Sequence, residues 1–328
     1  MKYTTNVKRQ HTVPKFLLKN FGFGRKESKK RLFTFDKKNE RAFQQSVNDA
    51  TVRSSFYNFV DDPKQLSLES FLGTIESNSA VIINEIIKNK SLSTLNQEKK
   101  EMLSIFVLSQ YFRTYGHFKM QESMIESVAS KIRNMGFNPK DVKDLKYNDF
   151  ANLKNSFLSM IPRCIEQKQY ISKKNWHLFE TDKDNPFFIS DHPVVLHNEL
   201  DLRPYGNLGL AVKGIQVYLP LSSTLILGML CPSYLIDLEE SKQNAMWLLQ
   251  NTLVDEQTMK NIDSICKSIK NFTTKNSIKL TCENVKFYNS LQVSFAEQYI
   301  YSEKKDFPLI KEMINDNEKY KEGFRFTS

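Results

Sequence analysis

A chain of 328 residues with 40% apolar and 26% charged residues can bury a sizeable core, which excludes an intrinsically disordered class. Ten Gly and ten Pro are too few for an all-β protein built on tight turns, and four dispersed cysteines without a CxxC pair exclude a disulfide framework. Thirteen Lys and Arg against three acidic residues in the first 48 positions account for the whole net charge of +10, so the basic character belongs to one end.

The opening Gln10-His11-Thr12-Val13-Pro14 leads to a turn at Gly22-Phe23-Gly24, a basic run through Arg31 that suits a hairpin loop, and an alternating strand over Arg31–Asp36. Helical spacing of Leu68, Leu72, Ile75, Ile82, Ile83 and Ile86 predicts a helix over Leu66–Ile87. A second, long helix is expected from Thr94 to Arg133 with a kink near Gly116, and a third over Tyr147–Ile161. Beyond about residue 170, short runs at Trp176–Phe179, Phe187–Ile189, Ile215–Leu219 and Thr224–Leu227 predict one small sheet, with an antiparallel return at Pro220–Ser223. Helices are expected at Ile236–Asn251, Glu256–Lys270 and Val285–Ala296, then a last strand at Gln298–Ser302. The charged tail past Glu303 is expected to be poorly ordered except where Phe324 and Phe326 dock.

The fold class is therefore α+β, mainly helical with a small antiparallel sheet in the second half. The expected division is a basic arm over 1–60, a helical region over 61–165, an α+β region over 166–303 and a tail over 304–328, all in one integrated domain. No window reaches the roughly 18 apolar residues of a membrane span, so a cytoplasmic location without membrane contact is expected.

Chemistry-bearing residues are scattered. His11 reads either as an imidazole bonded to a nearby carbonyl or, beside Gln10, as a base or metal ligand in a pocket. Glu69, Gly73 and Glu76 form one helical stripe in which the glycine leaves a gap between carboxylates, suited to Mg²⁺ or Mn²⁺ if other ligands join, and otherwise an ordinary solvated face. Gln110 and Arg113 sit in an aromatic and aliphatic run, so Arg113 must meet Glu69, Glu76 or Asp191, or else an anionic ligand. Ser190-Asp191-His192-Pro193 ends a strand, either presenting polar groups or closing a turn on its own amides. Lys8, Arg9, Lys15, Arg25, Lys26, Lys29, Lys30 and Arg31 form the expected footprint for RNA or DNA. P-loop, Rossmann, GxSxG and HExxH motifs are all missing.

Together the Gln-His-Thr-Val-Pro opening, Phe56-Tyr57, the Leu68–Glu76 stretch, Gln110 with Arg113, Ser190-Asp191-His192-Pro193-Val194, Pro220-Leu221-Ser222 and Asn289 ahead of Tyr299–Ser302 resemble a bacterial family, the domain of unknown function four-two-three-eight. In that family Asn commonly stands where His192 does here. The resemblance implies single-gene defence against phage by a toxic or nucleic-acid-directed effector, with a possible phage-encoded trigger.

The residues then suggest a metal-assisted nuclease. His11, Asp191, Glu76 and Arg113 would carry catalysis, Gln10, Gln110, Ser190 and Asn289 would support them, and His11, Glu69, Glu76 and Asp191 would ligate Mg²⁺ or Mn²⁺. The alternatives are a non-catalytic sensor of nucleic acid or a phage component, and a hydrolase of a nucleotide or small anionic metabolite.

Overall fold

The structure, a computed structural model, describes residues 7–142, 145, 149–200, 208–251 and 255–326. Its helices are α1 (Lys15–Leu18), α2 (Glu69–Asn89), α3 (Gln97–Phe112), α4 (Tyr115–Asn134), α5 (Phe150–Cys164), α6 (Gln169–Ser172), α7 (Pro232–Asn251), α8 (Glu256–Thr273), α9 (Cys282–Phe295) and α10 (Pro308–Asp316). Its strands are β1 (Arg9–His11), β2 (Arg31–Asp36), β3 (Arg41–Ser46), β4 (Val52–Ser54), β5 (Asn175–Glu180), β6 (Ile189–Ser190), β7 (Val195–His197), β8 (Gln216–Ser222), β9 (Leu225–Leu230), β10 (Ile278–Lys279) and β11 (Tyr299–Ser302).

These strands form three sheets spread through the chain, which corrects the expectation of one small antiparallel sheet in the second half. β1 pairs with β4 within the first 54 residues. A four-stranded sheet runs β3-β2-β11-β6, so both ends of the chain build it together. The third sheet runs β10-β5-β9-β8-β7 and is mixed, because β10 joins β5 in parallel. The missed strands gave weak signals for physical reasons: β1 and β4 have three residues each, and β3 is a polar edge strand without a fully buried face. The Phe187–Ile189 run does not join the sheet of β5, β8 and β9; Ile189 and Ser190 pair with Tyr301 and Ile300 of β11 instead.

The expected long helix is two. The chain breaks at Arg113-Thr114, where Thr114 is extended and its hydroxyl accepts from the His117 amide at 3.2 Å, starting α4 afresh. The tail is also corrected: Phe307, Ile310 and Ile314 are buried, and α10 packs them beside Phe35 and Phe188. Each such side chain contributes about 1.5 to 3 kcal/mol on burial, enough to hold a segment that composition alone marks as loose. Tyr147, expected to open the third helix, lies outside the described residues; α5 starts at Phe150, with Asp149 accepting from the Asn152 amide at 2.9 Å.

The Leu72, Ile75, Ile82, Ile83 and Ile86 stripe of α2 faces the core with α3, as the spacing predicts. The α2 face bearing Glu69 and Glu76 thereby comes up against the end of α3 and the β1–α1 turn.

Candidate functional site

Gln10 is fully buried and stitches the opening of the chain to the following loop. Its Oε1 accepts from the Tyr57 amide at 2.6 Å, and its Nε2 donates to Asn58 Oδ1 at 2.9 Å and the Val7 carbonyl at 3.1 Å. Two residues on, the Thr12 carbonyl accepts from both Gln110 Nε2 at 2.9 Å and Arg113 Nε at 3.2 Å. Arg113 Nη1 donates to Glu76 Oε1 at 2.6 Å, while the guanidinium lies 5.9 Å from the centre of the Tyr57 ring. The hydroxyl of that tyrosine donates to the Arg113 carbonyl, freed by the helix break, at 3.3 Å. Thus Gln10, Glu76, Gln110 and Arg113 are linked by hydrogen bonds through Tyr57 and the Thr12 carbonyl, and His11 and Glu69 lie within electrostatic reach of Arg113. Tyr57 carried no signal beyond its place in a Phe-Tyr pair.

Hydrogen bonding is incomplete there. His11 Nε2, Gln110 Oε1 and Arg113 Nη2 are buried and have no partner among the described residues. Such atoms cost about 1 to 3 kcal/mol each unless water or a ligand meets them. A side chain at Gly73, between the two glutamates, would meet no atom within 4 Å, so the stripe is open at that point. Burial, and then the nearby Lys15 charge, push the His11 imidazole down to about 4, leaving it neutral at pH 7. Burial, reinforced by the neighbouring Glu76 charge, raises the Glu69 carboxyl, so this glutamate holds a proton more readily than a free one.

Asp191 does not join this set by any hydrogen bond. Its carboxylate accepts from the amides of Glu297, Gln298 and Tyr299 at 2.8, 2.9 and 3.0 Å and closes the turn between α9 and β11. Burial pushes its carboxyl up, against those amide bonds, which hold the charged form. Ser190 donates to Gln292 Oε1 at 2.8 Å, and Asn289 spans the Phe188 amide and the Pro186 carbonyl at 2.8 and 3.0 Å. All three dock the β6 region onto α9, and a polar side chain used that way looks in sequence like one presented to a ligand.

Lys37, which the sequence did not single out, is the cation of this second place. Its Nζ donates to the carbonyls of Val293, Ala296 and Glu322 at 2.7, 2.6 and 3.1 Å, and burial lowers it to about 8. Replacing it by Met strands two carbonyls at the end of α9 and that of Glu322 in the C-terminal segment, and Lys37→Met is expected to lose about 2 kcal/mol, read as a lower urea midpoint with an unchanged slope.

Of the basic residues, Lys8, Arg9, Lys15, Arg25, Lys26, Lys29 and Arg31 are exposed and Lys30 is half-buried. Arg9 pairs with Asp49 at 2.6 Å, and Lys30 with Glu27 at 2.8 Å. The basic loop is closed by Phe23 and Arg31, which exchange backbone bonds of 2.9 and 3.1 Å, and the Val47 amide donates to the Lys30 carbonyl at 3.1 Å. The same 47–51 turn holds Arg9 through Asp49 and the Thr12 amide through the Thr51 carbonyl, so the loop and the His11 segment share one support.

Among the described residues no three His, Cys, Asp or Glu side chains are grouped to hold a metal ion, so His11, Glu69, Glu76 and Asp191 do not form the expected four-residue ligand set. Among them also, no helix is long and apolar enough to cross a membrane.

No curated protein and no solved structure matches the chain. A family model described as a protein of unknown function, DUF4238, matches residues 9–306, a span that runs from the β1 segment past β11 and takes in both polar clusters. The chain belongs to the DUF4238 family.

Proposed function

We propose that the His11 site cleaves a phosphodiester strand of RNA or DNA by acid–base catalysis, in an effector of antiphage defence. Neutral His11 takes a proton from the attacking water or ribose hydroxyl as its oxygen bonds to phosphorus. The bond from phosphorus to the leaving oxygen breaks, and Glu69 gives that oxygen a proton. Arg113 and Lys15 offset charge on the phosphate, and Lys8, Arg9 and the basic loop hold the backbone on either side. The observation that carries this reading is the set of three buried, unpartnered polar atoms, on His11, Gln110 and Arg113. No step uses a metal.

Single-stranded RNA and DNA incubated with the protein in EDTA are expected to be cleaved, and His11→Ala should slow cleavage by roughly 10²- to 10⁴-fold while leaving the melting temperature within a few degrees. Full activity in His11→Ala, or loss of all activity on chelation, removes the proposal. A non-catalytic sensor is the second reading. It is favoured by how much of the network serves the fold, since Gln110 and Arg113 both hold the Thr12 carbonyl. It expects strand binding that weakens steeply with salt and no product. ATP and other mononucleotides in the same assay test the small-metabolite alternative.

A further inference from the structure

A second cavity, of about 450 Å³, lies where the five-stranded sheet meets α7, α8 and α9. Its size is within the range of about 300 to 1,000 Å³ usual for small-molecule sites. We infer that it binds the flat heteroaromatic ring of a nucleobase, in a place separate from the His11 site.

Two aromatic pairs wall it. Tyr234 of α7 and Phe272 of α8 meet at 5.5 Å and 85°, and Phe287 and Tyr288 of α9 at 5.3 Å and 65°. Tyr218 of β8 closes on Tyr288 at 4.8 Å, so ring faces and edges are offered from three directions. Such surfaces suit a π-system of similar size, because stacking on aromatic side chains needs no particular base. The polar lining is made of groups that both donate and accept: the amides of Gln216, Asn271 and Asn284 and the tyrosine hydroxyls. Side-chain amides of this kind match the donor and acceptor edge of a base. Gln216 is already oriented, accepting from the Tyr218 hydroxyl through Oε1, while its Nε2 makes only a 3.5 Å contact with Glu199. Burial raises Tyr218, Tyr234 and Tyr288, so all three remain hydroxyl donors.

The lining favours a base over a cation: one acid, Glu199, and one base, Lys279, give it no net charge, and its amide and hydroxyl groups would have no partner on a quaternary ammonium. The base can come from a free nucleoside or from an unpaired residue of a strand; both present the same ring.

Calorimetric titration of the full chain with adenosine, uridine, a single strand of about ten nucleotides and tetramethylammonium chloride separates these cases. Saturable binding of a nucleoside is expected, weakened about tenfold in Phe287→Ala and Tyr234→Ala. Phe287 is 37% exposed, so its variant should melt like the unmodified protein. His11→Ala should bind as the unmodified protein does, which keeps this result independent of strand cleavage. Binding of the oligonucleotide alone supports the inference and assigns the base to a strand. Failure of every base-containing probe, binding indifferent to Phe287→Ala, or binding of tetramethylammonium alone overturns it.

Discussion

Acidification from about pH 7.5 to about pH 5 is expected to remove roughly 4 kcal/mol or more of folding stability. The source is a pair of buried imidazoles, His117 and His192, stacked 6.4 Å apart among Tyr111, Phe112 and Phe295. Burial pushes both down to about 3, from an ordinary value of 6.5. In the unfolded chain they take up protons as the pH falls through 6.5, and in the folded chain they do not until near 3. The unfolded state therefore binds more protons throughout that window, and stability falls with pH by about 2 kcal/mol for each ring by pH 5. His11 and His177, both lowered to about 4 mainly by burial, act in the same direction. Glu69 and Asp191, whose carboxyls are raised, act in the opposite direction and offset part of the loss. Melting curves at pH 7.5, 6 and 5 measure the slope, and His192→Asn, which removes one of the two imidazoles, should flatten it. A melting temperature independent of pH over this range would contradict the account.

Arg113→Met is expected to cost about 3 kcal/mol, the lower end for breaking a buried ion pair, since Glu76 keeps 28% exposure and can still reach water. Glu76→Ala should cost more, because it leaves a guanidinium of 1% exposure without its counter-charge. The pair Arg113→Met with Glu76→Leu should recover much of the loss, as neither charge is then left alone. Urea midpoints on the four proteins supply the coupling energy. An Arg113→Met chain within about 0.5 kcal/mol of the parent would mean that the ion pair holds nothing in place.

Both arguments rest on residues that the sequence partly disclosed. An arginine directly after the run Ile105–Phe112 needs a partner wherever it folds, and Glu76 was among the three carboxylates expected for it. The stripe of Glu69, Gly73 and Glu76 follows from helical geometry alone, and its face is open at Gly73. Asp191 illustrates what spacing cannot give: a Ser-Asp-x-Pro segment at a strand end reads alike whether its carboxylate faces a ligand or, as here, three amides about a hundred residues later. Long helices and hydrophobic strands were legible because their period repeats over many residues. The helix break at Thr114, by contrast, depends on one hydroxyl, and the sheet that joins β2 to β11 depends on a pairing across more than 250 residues. No local pattern encodes either.

That distant pairing also sets a timetable for synthesis. β2 and β3 can close on each other as soon as they leave the ribosome, but the second edge of β2 waits for Tyr299–Ser302. At about 5 to 20 residues per second, the nascent hairpin spends on the order of 10 to 50 s with an unsatisfied row of amides and carbonyls, flanked by Leu32 and Phe35. For that interval the growing chain is a template for pairing with its neighbours on the polysome.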